Sequence, residues 1–235
     1  CERHDIPLIV ECHSKLTGQP QAMTLVDPML EWVQEEGLNP DMVIVFGSKL
    51  ISKTLADWLR QQPHVIQCSG SFFPEDPFHH YETVIKGDIV STLESGMLQF
   101  ASSDLVWKQQ WVALYEMKRG MLRDQTYEEV SEIAFFNTLF LHDDFQESYF
   151  FVGNSLPIRM MNNGVDFIKP AVIYANRGVS GIDGNLATAL GIAVSAKKDM
   201  VIMVGDLTCL YDLNALDLLR QVRVSVTVVV FNNQG

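Results

Sequence analysis

Short apolar runs alternate with amphipathic stretches along the chain. In the first half, four short runs are predicted strands, of which Met42–Phe46 is continuously apolar: Pro7–Cys12, Met42–Phe46, Val65–Cys68 and Tyr81–Ile85. Asp27–Glu36 and Ser52–Gln61 lie between strands and carry their apolar residues at helical spacing. Strands that alternate with helices predict a parallel sheet with helices on both faces.

The second half shows the same alternation. Its predicted strands are Tyr149–Val152, Ala171–Tyr174, Val201–Gly205 and Ser225–Phe231. Glu128–Phe140 and the small-residue stretch Gly184–Ser195 are predicted helices. The predicted fold class is therefore α/β, with doubly wound parallel sheets and flanking helices.

Two segments near the middle of the chain define a predicted domain boundary. Trp107, Trp111 and Leu114 recur on one face of a predicted helix, a pattern typical of core packing. The polar run Lys118–Glu129 contains Gly120 and is the candidate linker. We therefore expect one α/β domain over residues 1–120 and the first part of another over residues 127–235.

Composition and charge restrict the classes of function. The chain is 47% hydrophobic, which suits a globular protein, and its formal net charge of −12 argues against a nucleic-acid or anionic-membrane surface. The four cysteines are scattered without CxxC pairing, which favours a reduced, intracellular protein. No apolar run has the length of a membrane span, and no targeting segment is recognisable. Because the chain begins at Cys1 and stops in a loop after a strand, we expect it to be a piece of a larger protein.

Polar residues follow two neighbouring predicted strands of the second half. Gly205-Asp206 ends one strand, and Asn232-Asn233-Gln234-Gly235 ends the next. Ligands of open parallel sheets bind outside the carboxyl ends of the strands. Carboxylate, amide and backbone carbonyl oxygens are ligands that Mg²⁺ prefers when it also holds a phosphate, so a metal site is expected here. The adjacent histidines of Asp76–His80 have no third ligand at convincing spacing and are interpreted as structural.

The segment Gly153–Arg159 reads GNSLPIR after a predicted strand. Ser155 fits the N-cap of a helix and Pro157 its first turn, so Arg159 and Ser155 are expected to face one pocket. A hydroxyl, a guanidinium and a helix N-terminus together would bind a carboxylate. An ordinary cap followed by a surface arginine remains the alternative.

Two further segments place glycines directly after strands. Asn176–Gly184 reads NRGVSGIDG, whose glycines allow the backbone to approach a ligand closely. Gly47–Lys53 follows a buried strand and opens a helix, but it contains neither GxGxxG nor GxxxxGK[ST]. A solvated lysine is the alternative interpretation of Lys53, and core packing is the alternative for Ile182.

Together these motifs resemble a known family. Gly-Asp and Asn-Asn at the ends of successive strands resemble the diphosphate-binding signature of thiamine-diphosphate enzymes. GDLTCLYDLNAL, with Leu207 where most of these enzymes have glycine, resembles the 2-succinyl-5-enolpyruvyl-6-hydroxy-3-cyclohexene-1-carboxylate synthases of menaquinone and phylloquinone biosynthesis. GNSLPIR and NRGVSGIDG are similar to motifs of the same family. Residues 1–120 then correspond to its central domain, and residues 127–235 to the first half of its diphosphate-binding domain.

The resemblance implies roles for particular residues. Implied substrate-binding residues are Lys53, Ser155, Arg159 and Arg177. Implied cofactor-binding residues are Ser180, Gly181, Ile182, Gly205, Asp206, Leu207, Thr208 and Asn233, with Ile182 as an apolar wedge beneath a bent thiamine diphosphate. Implied ligands of Mg²⁺, or of Mn²⁺ in its place, are Asp206, Asn233 and the carbonyl of Gly235.

The resemblance also implies a reaction and a setting. The family decarboxylates 2-oxoglutarate and joins the succinyl carbanion to isochorismate by 1,4-addition. The active site lies between two subunits, which implies a homodimer or tetramer. The expected location is the cytoplasm for a bacterial protein and the plastid for a plant or algal one. The family's pyrimidine-binding domain has no counterpart here, so we expect this chain to be inactive alone.

Three other interpretations remain. One is another thiamine-diphosphate carboligase or decarboxylase, such as an acetolactate synthase-like enzyme, although such enzymes usually carry GDG at Gly205–Leu207. A second is a truncated, non-catalytic paralogue. A third, a dinucleotide-binding domain, lacks the glycine fingerprint.

Overall fold

The computed structural model describes residues 5–47, 49–70, 81–96, 98, 104–124, 132–140, 147–164 and 172–233. Its strands are β1 Leu8–Ile9, β2 Ala22–Met23, β3 Val43–Phe46, β4 Val65–Ser69, β5 Thr83–Lys86, β6 Tyr149–Val152, β7 Val172–Tyr174, β8 Met200–Gly205 and β9 Val226–Phe231. Its helices are α1 Val26–Glu35, α2 Lys53–Leu59, α3 Ile89–Glu94, α4 Leu105–Asp124, α5 Glu132–Phe140, α6 Leu156–Gly164, α7 Asn185–Ala196 and α8 Asp206–Tyr211, with a 3₁₀ helix at Leu213–Gln221.

The chain forms two compact units. The first comprises residues 1–9 and 21–122, and the second residues 10–20 and 123–235. These units differ from the predicted ranges 1–120 and 127–235 in that residues 10–20 belong to the second unit. In that segment, the Cys12 N–H donates to Asn162 Oδ1 of α6 at 2.9 Å. The exact domain boundary stays a prediction, because residues 125–131 lie outside the described residues.

The first unit is built on a parallel sheet of order β3-β4-β5 and a separate parallel pair, β1 and β2. Helix α1 buries four apolar residues on its inner side: Val26, Met29, Leu30 and Val33. Helix α2 begins after Ser52, whose Oγ accepts the Leu55 N–H at 2.8 Å as an N-cap. The predicted strands and helices of the first half are thus present, with ends that differ by a few residues.

Helix α4 is longer than the sequence pattern predicted. It continues to Asp124, so the interpretation of Lys118–Asp124 as linker is wrong. The Lys118 ammonium lies 3.0 Å from the centroid of the Trp32 ring on α1. This cation–π contact stabilises the packing of the C-terminal half of α4 against α1. Gly120 costs about 1 kcal/mol in a helix interior, which such packing offsets.

The second unit contains a four-stranded parallel sheet of order β7-β6-β8-β9. The chain passes from β6 to β7 on one side and then returns across β6 to β8 on the other. Strand order therefore reverses between β6 and β8, which is where open α/β sheets bind ligands. The parallel sheets and their flanking helices confirm the predicted α/β fold class.

Each face of this sheet packs against different helices. Phe151, Ile202 and Val204 form one buried cluster with residues of α7 and of the 3₁₀ helix. On the other face, the Phe136 ring of α5 stacks on Phe231 of β9, with centroids 5.2 Å apart. Successive strand residues point to opposite faces, so this arrangement leaves the carboxyl edge of the sheet for polar groups.

The helical segment between β8 and β9 is interrupted at Asp212. Its carboxylate Oδ2 accepts the Ala187 N–H of α7 at 2.7 Å. Helix α8 ends at Tyr211, and a 3₁₀ helix follows from Leu213. The break lets Asp212 cap a neighbouring helix, a tertiary contact that periodicity does not encode.

No helix among the described residues is long and apolar enough to cross a membrane.

Candidate active site

Four strand ends of the second unit carry most of the residues that the sequence singled out. Ser155 follows β6, Arg177 follows β7, Asp206 follows β8 and Asn233 follows β9. Because all four strands are parallel, these residues lie at one edge of the sheet. The reversal of strand order between β6 and β8 is at the same edge.

Gly153 allows a close approach at that reversal. Its N–H donates to the Met203 carbonyl at 2.7 Å. A Cβ on Gly153 would lie 3.1 Å from Val204 Cγ1 and 3.2 Å from the Met203 carbonyl oxygen. A side chain at this position would therefore crowd the place where the end of β6 packs against β8.

Ser155 and Arg159, which the sequence analysis expects to face one pocket, contact each other. Arg159 Nε donates to the Ser155 carbonyl at 3.0 Å, and Nη2 donates to Ser155 Oγ at 3.4 Å. Ser155 departs from an ordinary N-cap, because its φ is +72° where a cap residue is normally extended. The chain turns from β6 into α6 within a few residues, and that left-handed residue makes the turn. Both side chains are exposed and accessible to an anionic ligand.

Arg177 is held by a buried amide. Its Nη1 donates to Asn154 Oδ1 at 2.9 Å. Asn154 is 2% exposed, and its Nδ2 donates to the carbonyls of Asn176 at 2.9 Å and Gly181 at 2.7 Å. One side chain thus bonds the arginine and two carbonyls of the glycine-rich loop.

The loop Ser180–Gly184 has unusual backbone geometry. Ser180 has φ +62° and Gly184 has φ +68°. A Cβ on Gly181 would lie 2.6 Å from Asp183 Oδ1. Asn185 Nδ2 donates to the carbonyls of Gly181 and Asp183, both at 3.2 Å. Ile182 is half-buried within this fixed turn, so its side chain remains available to a ligand.

The expected metal ligands on β8 and β9 lie at adjacent strand ends. Asp206 Oδ1 accepts the Leu207 N–H at 2.8 Å, and no described basic side chain pairs with this half-buried carboxylate. Asn233 is exposed, whereas Gly235 lies outside the described residues. A carboxylate with no cationic partner in the described part of the chain, at the strand end next to that of an exposed amide, fits a hard divalent cation that keeps further ligands from water or phosphate.

The neighbours of Asp206 differ in exposure. Gly205 is half-buried at the end of β8, Leu207 is 46% exposed and Thr208 is buried. Within the described part of the chain, no three His, Cys, Asp or Glu side chains cluster as a metal site. The candidate site therefore depends on one carboxylate with neutral oxygen ligands. The histidines of Asp76–His80 lie outside the described residues.

Lys53 lies in the other unit. It is the first residue of α2 and is exposed, directly after the N-cap Ser52. The structure thus brings Ser155, Arg159, Arg177, the glycine-rich loop and Asp206 to one sheet edge of the second unit, while Lys53 belongs to the first unit.

The positive charge of Arg177 also affects the segment at residues 10–20. Burial raises the pKa of the Cys12 thiol and Glu11 raises it further, while Arg177 opposes both. Burial and the Arg177 charge lower the pKa of His13. Because the lowered pKa favours neutral His13, the positive charge near these residues comes from Arg177.

The sequence did not single out Asn154 or Asn185 as functional residues. Both are nearly inaccessible to solvent and both bond the Gly181 carbonyl. A polar residue directly after a continuous apolar strand was the available signal for Asn154. The signal for Asn185 was an amide at the first position of an otherwise apolar helix.

Comparison with known proteins gives a consistent identification. A family model described as "Middle domain of thiamine pyrophosphate" matches residues 5–150. Another, "Thiamine pyrophosphate enzyme, C-terminal TPP binding domain", matches residues 157–235.

Curated relatives agree with these matches. The chain is 32% identical to the 2-succinyl-5-enolpyruvyl-6-hydroxy-3-cyclohexene-1-carboxylate synthase of Staphylococcus epidermidis, over 99% of this chain and 41% of that protein. It is 31% identical to the synthase of the same name from Shewanella frigidimarina, over 97% of this chain and 40% of that protein. It thus spans about two fifths of the length of these relatives. The chain belongs to the thiamine-diphosphate-dependent enzymes and corresponds to part of a protein similar to these synthases.

Proposed function

We propose that this chain carries the metal- and substrate-binding part of a 2-succinyl-5-enolpyruvyl-6-hydroxy-3-cyclohexene-1-carboxylate synthase. The observation that carries the proposal is the sheet edge at which Arg177 follows β7, Asp206 follows β8, and Arg159 lies in the first turn of α6, the helix after β6. Two guanidinium groups suit substrates with several carboxylates, and the carboxylate suits the cation of a diphosphate cofactor. The similarity to the named synthases supports the same assignment.

The product named for the relatives indicates the substrates. Its succinyl group corresponds to 2-oxoglutarate after loss of CO₂, and its ring, hydroxyl and enolpyruvyl groups correspond to isochorismate. The reaction breaks the bond between the keto carbon and the departing carboxylate. It forms a bond from that keto carbon to the ring and takes up one proton.

The proposed roles of the residues follow from their chemistry. Asp206, Asn233 and the Gly235 carbonyl would hold Mg²⁺ or Mn²⁺, which binds the cofactor diphosphate. Thiamine diphosphate, when bound, supplies the electron sink that decarboxylation requires. Arg159, Arg177 and Ser155 would bind substrate carboxylates, and Lys53 would contribute a further positive charge. Ser180, Gly181 and Ile182 would line the cofactor together with Gly205, Leu207 and Thr208.

An acetolactate synthase-like carboligase is the competing function. Its small monocarboxylate substrates require fewer cationic side chains, whereas this sheet edge has two arginines. A homodimer or tetramer is proposed for the complete enzyme. This chain alone is expected to be inactive. A non-catalytic paralogue is a further outcome that the test can give.

The test uses the complete reading frame that encodes this chain. The purified protein is incubated with Mg²⁺, thiamine diphosphate, 2-oxoglutarate and isochorismate, and product mass and CO₂ are followed. We expect CO₂ and a succinylated isochorismate adduct in equal amounts, and neither when the cofactor is omitted. Turnover of pyruvate instead would favour the competing carboligase, and cofactor binding without turnover would favour the non-catalytic paralogue.

A further inference from the structure

Three buried asparagines of the second unit have different bonding patterns. Asn154 bonds both Arg177 and the Gly181 carbonyl. Asn185 donates to the Gly181 and Asp183 carbonyls, and its Oδ1 has no hydrogen-bond partner among the described residues. Asn162 accepts the Cys12 N–H and bonds neither the arginine nor the loop. All three side chains are at most 2% exposed. They are therefore matched in burial and differ in their hydrogen-bond partners.

We propose that Asn154 is a positioning residue that fixes the Arg177 guanidinium and the Ser180–Ile182 turn relative to each other, and so couples binding of a substrate carboxylate to binding of the cofactor. This proposal rests on the proposed function for the assignment of Arg177 to a carboxylate and of the turn to thiamine diphosphate. It adds a residue that touches neither ligand. The geometry is specific, because a single planar amide makes all three bonds.

Both ends of the Asn154 amide are used. Its oxygen accepts from Arg177 at 2.9 Å, and its nitrogen donates to Asn176 at 2.9 Å and to Gly181 at 2.7 Å. Because the amide is planar and buried, its oxygen and its nitrogen move together as one rigid group. A ligand that fixes the position of Arg177 therefore also favours one position of the Gly181 carbonyl.

The hydrogen bond from Asn154 to the Gly181 carbonyl reaches a turn whose residues are proposed to line the cofactor. Gly181 is flanked by Ser180 and Ile182, and Ser180 already has a left-handed backbone at φ +62°. Such a turn persists only when its surroundings hold it, and two buried amides bond the one Gly181 carbonyl. Loss of Asn154 removes a hydrogen bond from both the Arg177 guanidinium and the turn, whereas loss of Asn185 removes hydrogen bonds from the turn alone.

Coupling between two ligands is reciprocal, so either ligand reports it. In the complete protein, we measure the Kd of thiamine diphosphate with Mg²⁺ by calorimetry, with and without saturating glutarate. Glutarate is a dicarboxylate that lacks the keto group, so no reaction occurs. We expect glutarate to tighten cofactor binding of the wild-type protein by roughly fivefold or more, the usual range of such couplings. We expect the ratio to fall to about 1 in Asn154→Leu.

The matched variants separate coupling from general damage. Asn185→Leu should weaken cofactor binding but retain part of the glutarate effect, and Asn162→Leu should change neither. Asn154→Asp keeps an oxygen that accepts from Arg177 but loses the two hydrogen bonds that Asn154 donates to the loop carbonyls. This variant is used if Asn154→Leu does not fold. Hydrogen exchange of the unliganded protein over residues 176–184 should accelerate about tenfold in Asn154→Leu and remain unchanged in Asn162→Leu.

Two results would overturn the proposal. One is a glutarate effect in Asn154→Leu or Asn154→Asp equal to that of the wild type, and the other is the absence of any glutarate effect in the wild type. Failure of the proposed function gives a different pattern. In that case the coupling and its loss on substitution persist, while 2-oxoglutarate and isochorismate give no adduct.

Discussion

Gly205 lies directly opposite Phe231 in the parallel ladder of β8 and β9. The residues that follow them, Asp206 and Asn232, therefore leave the sheet at the same level. Phe231 is buried and stacks on Phe136 with an interplanar angle of 10°. A residue packed in this way resists a shift of register, so the spacing between the two strand ends is fixed before any ligand binds.

Replacement of Asp206 tests the metal site. We expect Asp206→Ala to abolish Mg²⁺-dependent binding of thiamine diphosphate, because the neutral ligands alone attract the cation weakly. Calorimetry on the complete protein with and without Mg²⁺ gives the result. Asp217→Asn is the matched control, because Asp217 is exposed and pairs with Arg220 on the 3₁₀ helix. Unchanged cofactor affinity in Asp206→Ala would remove Asp206 from the metal site.

Two glycines provide opposite predictions for stability. Gly153→Ala places a Cβ 3.2 Å from the Met203 carbonyl oxygen, and we expect a loss of about 1–3 kcal/mol in the free energy of unfolding. Gly191→Ala, inside α7 with nothing near its Cβ position, should instead gain about 0.5–1 kcal/mol. Urea unfolding of both variants measures the difference. Equal stabilities would show that β6 has room to move away from β8.

The two arginines are expected to affect substrate more than cofactor. Arg159→Lys and Arg177→Lys keep the charge but lose the paired donors that bind a carboxylate. We expect the KM for a dicarboxylate substrate to rise by about 10–100-fold, with less than a twofold change in the Kd of thiamine diphosphate. Arg220→Lys, on the exposed surface, serves as the control. A large change in cofactor affinity alone would reassign these arginines to the diphosphate.

The buried thiol of Cys12 predicts a loss of stability at alkaline pH. Burial raises its pKa in the folded protein above the unfolded value of about 8.5. Above that pH, the unfolded chain releases a proton that the folded chain retains, so the free energy of unfolding falls with rising pH. The limiting slope is about 1.4 kcal/mol per pH unit for one thiol.

Comparison with Cys12→Ala isolates this contribution from other groups that titrate in the same range. Urea unfolding from pH 7 to pH 10 should show a smaller alkaline decline in the variant than in the wild type. Cys68, also buried with a raised pKa, is unchanged in both proteins. Parallel pH profiles would show that Cys12 is not protonated in the folded state across this range.

The sequence predicted the strands of the second unit accurately, because short, continuous apolar runs have few alternatives in a parallel sheet, but it did not predict β2. β6, β7, β8 and β9 all lie within the predicted runs or one residue beyond them. It was less accurate where a tertiary contact decides the local structure. Lys118 extends α4 by its contact with Trp32, and Asp212 interrupts a helix to cap α7.

The sequence by itself determined the fold class and which residue types could bind a metal and an anion, because periodicity and motif spacing are local properties. Only the tertiary structure decided that strand order reverses between β6 and β8, which brings distant loops to one edge. It also decided that Asn154 bonds both Arg177 and Gly181. Such bonds join residues far apart in sequence, and their geometry exists only after the sheet has assembled.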